Sequence, residues 1–162
     1  MSDVIIDTNV AVVANRQNHD VVANCEITCI EFIARSRAEH VVLLDGGGEI
    51  RREYARALQK RRPYELGAQF LFHVLQQQFN PLHVRIVELG KNEVGDFVDF
   101  PAVPELAAFD PSDRKFAALA KKTGPAVTNA TDSDWADSLA ALEANGIAVN
   151  FLCGRDKLKW HT

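Results

Sequence analysis

Short apolar segments alternate with amphipathic helical segments along this chain, and that alternation is the strongest constraint on its fold. Five short apolar runs of the kind that form buried strands lie at residues 4–6, 41–44, 84–89, 126–129 and 147–152. Helical periodicity or capping residues predict helices between them, over residues 20–39, 49–60, 66–79, 112–123 and a last one through Trp135, Leu139 and Leu142. The second of these helices is expected to stop near Pro63, and Ser112 is expected to cap the fourth. Such alternation predicts an α/β fold with a central, mostly parallel sheet flanked by helices on both faces.

Length and composition predict one globular domain over residues 1–162. The chain is 47% hydrophobic and 25% charged, which is enough to bury a core. The first thirty residues hold no basic segment followed by a long apolar run, and no apolar stretch approaches the ~20 residues that span a bilayer. We therefore expect a soluble, unprocessed protein without a membrane partner.

The three cysteines are predicted to be reduced. An odd number of cysteines in a chain of ordinary core size does not make a disulfide framework, which favours the cytoplasm as location. Cys25 and Cys29 lie one helical turn apart and are expected to pack as small apolar side chains. A structural metal site would need a second pair of ligands, which Cys153 alone does not supply.

The charge of the chain limits how it can bind nucleic acid. A net charge of −4 argues against binding by global electrostatics, so any contact must be local. One basic run can supply it, and its members are Arg51, Arg52, Arg56, Lys60, Arg61 and Arg62. The alternative is a solvated helix face with pairs such as Glu49 with Arg52 and Glu53 with Arg56, which the run taken alone favours.

Acidic residues follow the predicted strands. In a parallel α/β sheet the working site lies at the carboxyl ends of the strands. Asp7 directly follows the first strand, Asp132 and Asp134 follow the fourth, and Asp113 lies in the first turn of the helix before it. Further acids, Glu49 and Glu53, share one face of the helix after the second strand. The sequence thus predicts a cluster of carboxylates at one edge.

A cluster of carboxylates predicts a hard divalent cation. Packing these charges together is costly unless a cation neutralises them, and oxygen ligands select Mg²⁺ or Mn²⁺ over zinc. Such an ion leaves positions for a phosphate oxygen and an attacking water, which is the chemistry of phosphodiester hydrolysis. A hydroxyl of Thr8, Thr128 or Ser112 is expected to orient a carboxylate or water. Taken one at a time, these acids have alternative roles: Asp113 can interact with the positive end of its helix dipole, and Asp132 can be an N-cap.

Four short motifs resemble those of the PIN-domain nucleases, which include toxins of VapC type. They are residues 5–9 (IIDTN), 50–54 (IRREY), 109–116 (FDPSDRKF) and 127–135 (VTNATDSDW). The resemblance covers nearly the whole chain, and the order of the motifs carries its specificity. Ala130 and Thr131 lengthen the fourth motif, which leaves open whether Asp132 or Asp134 is the metal ligand.

The resemblance implies a Rossmann-like PIN fold and an Mg²⁺- or Mn²⁺-dependent endoribonuclease that often forms homodimers. It implies Glu53 rather than Glu49 as the site acid, and it places Asn9 in the first motif. The implied catalytic residues are Asp7, Glu53, Asp113, Asp132 and Asp134, of which the four aspartates are the metal ligands. RNA contacts are assigned to Arg51, Arg52 and Arg56.

Alternatives remain at this point. A haloacid-dehalogenase-like phosphatase also starts with an Asp after its first strand, but it needs a second Asp where this chain has Asn9. The serious rival is a PIN-like module that binds RNA or a protein without cutting. The biological role is equally open between a toxin with a small antitoxin-type inhibitor, a defence nuclease and an RNA-processing enzyme.

Overall fold

Five parallel strands form the central sheet of the protein. The structure, a computed structural model, describes residues 1–58 and 64–162. The strands are β1 (Ser2–Ile6), β2 (His40–Asp45), β3 (Val84–Val87), β4 (Val127–Asn129) and β5 (Val149–Phe151). Their order in the sheet is β3-β2-β1-β4-β5, and every neighbouring pair is parallel. The predicted α/β fold is confirmed, and the architecture agrees with the Rossmann-like PIN fold that the resemblance implied.

Seven α-helices flank this sheet in the described residues. They are α1 (Thr8–Ala14), α2 (Ala23–Glu39), α3 (Glu49–Leu58), α4 (Leu66–Gln77), α5 (Arg114–Thr123), α6 (Ser133–Asp137) and α7 (Leu139–Ala144). The sequence predicts that α3 continues to residue 60 and stops near Pro63, and that end lies outside the described residues. Across residues 1–58 and 64–162, no helix is both long and apolar enough to cross a membrane.

The helix α1 was not predicted from the sequence. It starts directly after β1, with Asp7 as its N-cap, and the carboxylate of Asp7 accepts a hydrogen bond from the backbone N–H of Asn9 at 3.2 Å. Most of its seven residues are buried. A helix of two turns that is buried on most sides has no alternation of apolar and polar faces, so hydrophobic periodicity does not predict it.

The start of α5 differs from the prediction that Ser112 caps it. The side chain of Asp110 accepts hydrogen bonds from the backbone N–H and the hydroxyl of Ser112, both at 2.9 Å. A 3₁₀ turn over Pro111–Asp113 then leads into α5. Proline suits the first position of such a turn, and Asp closes it through its carboxylate. The predicted end is confirmed at Gly124, whose φ of 101° favours glycine.

The predicted last helix is in fact two short ones. Helix α6 ends at Asp137 and α7 begins at Leu139, with Ser138 between them. The backbone N–H of Ser138 still bonds to the carbonyl of Asp134 at 3.1 Å, but the backbone of Ser138 leaves the helical region. Asp and Ser compete with the helix for backbone hydrogen bonds, which makes this pair a weak point.

The sheet register positions the site. Ile5 pairs with Val127 and Ile6 with Thr128, so β1 and β4 lie side by side and end at the same level. The backbone N–H of Asp7 donates to the carbonyl of Thr128 at 3.0 Å, which fixes the first residue after β1 against β4. Helix α5 packs against β1, β2 and β4. The acids after β1, after β4 and before α5 are thereby directed to one edge.

The expectation that all three cysteines are reduced was wrong for two of them in this structure. Cys25 and Cys153 form a disulfide, with their Cα atoms 4.8 Å apart, whereas Cys29 is free and buried. The two bonded residues are 128 positions apart in the sequence. Their proximity depends on how the segment after β5 passes the start of α2, which residue spacing alone does not reveal.

Candidate metal centre

Three predicted acids come together at the carboxyl ends of β1 and β4. Asp7, Asp113 and Asp132 each contribute a carboxylate oxygen, and these oxygens lie within 4.8 Å of one another. Asp7 and Asp113 are only 3% and 5% exposed, while Asp132 is half-buried. We call these three residues the acid centre. Their separation is compatible with oxygen ligands around one or two hard divalent cations.

Asp7 is held by two donors. Its Oδ1 accepts from the backbone N–H of Asn9, and its Oδ2 accepts from the indole N–H of Trp135 at 2.5 Å. Burial and then the negative charge of Asp132 raise the pKa of Asp7, and the Trp135 hydrogen bond opposes the rise, which leaves the pKa at about 7. The carboxylate is therefore fixed in place but is costly to ionise without a nearby cation.

Asp113 is the least satisfied member of the acid centre. Its Oδ2 is buried, and no donor group from the described residues reaches it. Burial, followed by the charges of Asp7 and Asp132, raises the pKa of Asp113 to about 9. A side-chain hydrogen bond with Asp132 contributes to the same rise in the pKa of Asp113. An unpaired buried carboxylate oxygen is rare in folded proteins and is the kind of atom that a bound cation satisfies.

The structure separates the two aspartates of the fourth motif. Asp132 is the N-cap of α6, where it accepts from the backbone N–H of Asp134 at 3.0 Å, and it also belongs to the acid centre. Asp134 joins Asp113 and Asp110 in a second group whose oxygens lie within 4.8 Å. Burial and then the charge of Asp132 raise the pKa of Asp134. Of the two, Asp132 is the one grouped with Asp7.

Glu53 lies beside the acid centre but is already neutralised. Its Oε1 accepts from the hydroxyl of Thr8 at 2.5 Å, and its Oε2 forms an ion pair with Lys115. Lys115 is 6% exposed and also donates to the backbone carbonyl of Ser112. The charge of Glu53 still raises the pKa of Asp7, although less than burial and Asp132 do.

Three neighbours of the acid centre were not predicted from the sequence as parts of the site. Lys115 was grouped only with its motif, although a lysine two residues after Asp113 and directly before an apolar run was a usable signal. Trp135 was assigned to a helix face, and its donor role depends on tertiary contact with Asp7. The position of Asp110 on the rim of the acids was likewise not anticipated.

Asn9 supports the centre without being among its acids. Its side-chain N–H donates to Asn129 at 2.9 Å, and its Oδ1 accepts from the backbone N–H groups of Ala130 and Thr131 at 2.8 and 3.1 Å. Asn129 in turn accepts from the N–H of Asp132 at 3.2 Å. The two extra residues of the fourth motif therefore form the turn that carries Asp132 to the site.

The three predicted hydroxyls have different surroundings. Thr8 donates to Glu53, and the hydroxyl of Ser112 donates to Asp110 at 2.9 Å. Thr128 is buried within β4, level with Ile6 of β1. Only Thr8 therefore bonds to one of the predicted site acids among the contacts that the structure describes.

A basic pocket lies next to Glu53. It has a volume of about 350 Å³. Its lining includes the exposed Arg52 and Arg56 together with Glu49, Ser112 and Lys115. This side of the acid centre thus offers positive groups within a short distance of the carboxylates.

The other members of the predicted basic run are placed differently. Arg51 is half-buried and donates to Gln78 at 2.6 Å, outside the lining of this pocket. Glu49 pairs with Lys91 at 3.1 Å, so the ion pairs expected along the helix are not those found among the described residues. The predicted contacts of Lys60, Arg61 and Arg62 lie outside the described residues.

Comparison with known proteins identifies no relative. No family model, no curated protein and no solved structure matches the chain. The functional reading therefore depends on the geometry of the acid centre and on the short motifs that first indicated it.

Proposed function

We propose that this protein is a PIN-type endoribonuclease that depends on Mg²⁺ or Mn²⁺. The observation that carries the proposal is the buried oxygen of Asp113, which no described donor reaches and which lies among two further carboxylates. A structural ion pair does not explain this arrangement, because Lys115, the one buried Lys or Arg among the described residues, is engaged with Glu53. A hard divalent ion is the partner that the donor set suits.

The residues divide into ligands and supports. Asp7, Asp113 and Asp132 would hold the ion, with Asp134 next to Asp113 as a further ligand. When bound, such an ion lowers the pKa of a coordinated water and offsets charge on the phosphate. Trp135 and Asn9 orient the Asp7 carboxylate, since each donates to one of its two oxygens. Glu53 with Lys115 forms the wall between the acids and the basic pocket.

RNA is the proposed substrate, bound through its phosphates. The chain is acidic overall, so phosphate binding has to be local. Arg52 and Arg56 are exposed in the pocket beside Glu53, and we assign the contacts to successive phosphates to them, although Arg52 also donates to the carbonyl of Gly47 at 3.0 Å. Arg51 is directed to Gln78 instead. Phosphates bound there would place the strand next to the acid centre.

The proposed setting is the cytoplasm, where RNA substrates occur and where the Cys25–Cys153 disulfide of this structure would be open to reduction. A homodimer and an antitoxin-type inhibitor remain predictions of the family resemblance. An apolar groove of about 500 Å³ between residues 97–107 and Arg114 gives an inhibitor a place to bind near the acids. Copurification of a small basic protein in the complex would support it, and purification of the chain alone from its native cells would argue against it.

One observation favours the rival function, a module that binds without cutting. Glu53, which the resemblance implied to be catalytic, is neutralised by Lys115 rather than open to a metal. A site with three acids and an internal ion pair can bind a basic partner as well as a metal. The two functions differ in whether RNA is cleaved.

The test is a cleavage assay with a matched pair of variants. Structured and single-stranded RNA would be incubated with Mg²⁺, Mn²⁺ or a chelator, using wild type, Asp7→Asn and Asp20→Asn. Asp20 is an exposed carboxylate that pairs with His161, so its change controls for charge and for contaminating nucleases. We expect metal-dependent cleavage by wild type and Asp20→Asn and none by Asp7→Asn. Equal cleavage by all three, or RNA binding without cleavage, would contradict the nuclease proposal.

A further inference from the structure

A second group of metal-binding side chains lies away from the acid centre. The sulfur atoms of Cys25, Cys29 and Cys153 lie within 4.8 Å of one another, and we call them the thiol cluster. Cys25 and Cys153 are bonded, and the Cys29 sulfur lies 4.0 Å from that of Cys153. Cys29 is fully buried, and Cys25 is almost so. A third cysteine that is directed at a disulfide is not required for the disulfide itself.

The backbone holds the thiol cluster together independently of the disulfide. Cys25 and Cys29 are four residues apart on α2, so they project from one face. The start of α2 is joined to the C-terminal segment by a bridge between Val21 and His161 and by a hydrogen bond from the N–H of Val22 to the carbonyl of Trp160 at 3.0 Å. Reduction of the disulfide therefore leaves the three sulfurs near one another.

We propose that the reduced thiol cluster is a binding site for a thiophilic ion of the Zn²⁺ class. Tetrahedral Zn²⁺ with Zn–S bonds of about 2.3 Å places its sulfur ligands about 3.8 Å apart. The sulfurs of Cys29 and Cys153 are already 4.0 Å apart, and Cys25 has to retreat from bonding distance by rotation of its side chain. Three thiolates from two segments then complete most of the coordination shell.

The fourth coordination position has space and compensating charge. A pocket of about 230 Å³ opens onto Cys25 and Cys153 and is also lined by Asn24, Thr28 and Lys159. It admits a water molecule or a small external ligand. Lys159 adds a positive charge to the lining of this pocket, and its ammonium group also pairs with Asp156 at 3.9 Å.

The proposed metal site forms in two steps, reduction of the disulfide and then binding of the metal. A dithiol reductant transfers two electrons and two protons to the Cys25–Cys153 disulfide, which yields two thiols and the oxidised reductant. The metal then displaces one proton from each of the three thiols. Burial raises the pKa of Cys29 to about 12, so without metal this thiol stays protonated and unreactive. The inference does not depend on the nuclease proposal, because the two sites share no ligand.

Cobalt(II) is a suitable probe, because thiolate ligands give it an intense near-ultraviolet charge-transfer band that carboxylates do not. The full-length protein would be reduced with a phosphine under argon, checked for three free thiols and titrated with Co²⁺. We expect one equivalent to produce the thiolate band and Zn²⁺ to remove it by displacement. The oxidised protein should show no such band.

Two variants separate the thiol cluster from the acid centre. Cys29→Ser, which leaves α2 otherwise unchanged, should weaken Co²⁺ binding at the thiolates at least ~10-fold. Asp7→Asn should leave the band intact. Cys153→Ser replaces the first variant if Cys29→Ser does not fold. The proposal is overturned if reduced wild type gives no thiolate band, if the disulfide resists reduction in the native protein, or if the band survives the cysteine changes.

Discussion

Glu53 and the three aspartates of the acid centre lie side by side in this molecule, but their surroundings differ. Glu53 receives a hydroxyl hydrogen bond from Thr8 and an ion pair from the buried Lys115. In the acid centre, Asp113 presents a buried oxygen that no described donor satisfies, and the pKa values of Asp7 and Asp113 are both raised. Glu53 is neutralised within the chain, whereas one carboxylate oxygen of the acid centre has no partner among the described residues.

This difference distinguishes the structural role of Glu53 from the proposed metal-binding role of the acid centre. An ion pair with its own buried cation contributes to folding whether or not a ligand is present. Carboxylates that raise one another's pKa reduce stability until a cation binds, and binding to the native state alone then restores it. Three substitutions and one pH series test this contrast.

The largest effect is expected from Asp113→Asn. This change removes the unsatisfied carboxylate while keeping its shape, so metal-dependent RNA cleavage should fall by about 10³-fold, as for other losses of a group that stabilises transition-state charge. Stability in chelator should stay the same or rise, because a costly acid is gone. Cleavage rates measure the loss of activity, and urea denaturation in chelator measures the change in stability. An unchanged cleavage rate would remove Asp113 from the active site.

Glu53→Gln should act on stability instead. It leaves Lys115 buried without its counter-charge, at a cost of about 3 kcal/mol in the free energy of unfolding. Glu143→Gln is a matched control, since Glu143 forms an exposed pair with Arg155 and should cost little. Urea denaturation in chelator measures both. If Glu53→Gln costs no more than its control, the pair does not serve the fold.

The pH dependence of stability should differ with and without metal. Asp7 and Asp113 have native pKa values of about 7 and about 9, above their ordinary value of 3.8, so the native state binds more protons than the unfolded state between these limits. Stability in chelator should therefore fall as pH rises from about 4 toward 9. Mn²⁺ should add about 2 kcal/mol, or roughly 4–8 °C in Tm, at pH 8 and much less at pH 5.

Thermal unfolding at pH 5 and pH 8, with Mn²⁺ and with chelator, measures this. Asp113→Asn serves as the control, because it should reduce the difference between the two pH values. A metal effect that is equal at both would show that the acid centre does not bind the ion.

Trp135→Phe should have the smallest effect. The indole N–H donates to Asp7 and opposes the rise in its pKa, so its loss should raise that pKa further and lower stability by about 1.5 kcal/mol. The pH profile of cleavage should shift to higher pH, because Asp7 would ionise later. A stability loss without a shift in the profile would limit Trp135 to a packing role.

The sequence was sufficient for the parts of this molecule that depend on local pattern. The strands at residues 4–6 and 41–44 are recognisable as apolar runs, and the parallel sheet follows from their alternation with helices. Asp7, Asp113 and Asp132 were found because the carboxyl ends of neighbouring parallel strands meet. Their convergence required only the order of the elements.

Features that depend on contacts across the fold were not accessible in this way. The ion pair between Glu53 and Lys115 joins α3 to α5, and the Cys25–Cys153 disulfide joins α2 to the segment after β5. Neither pair has a characteristic spacing. The helix α1 was overlooked for the opposite reason, since its seven residues are too few and too buried to show a period.

The position of β1 in the middle of the sheet has a consequence for synthesis on the ribosome. Among the five strands of this sheet, β1 comes first in the sequence, and it pairs on one side with β2 and on the other with β4, which is formed by residues 127–129. During synthesis, the edge of β1 that pairs with β4 therefore stays unpaired, and Asp7 has neither Asp113 nor Asp132 beside it until those residues have emerged. A nascent chain that ends before Asp132 therefore has no acid centre, and any activity that the centre confers begins only after Asp132 has left the ribosome.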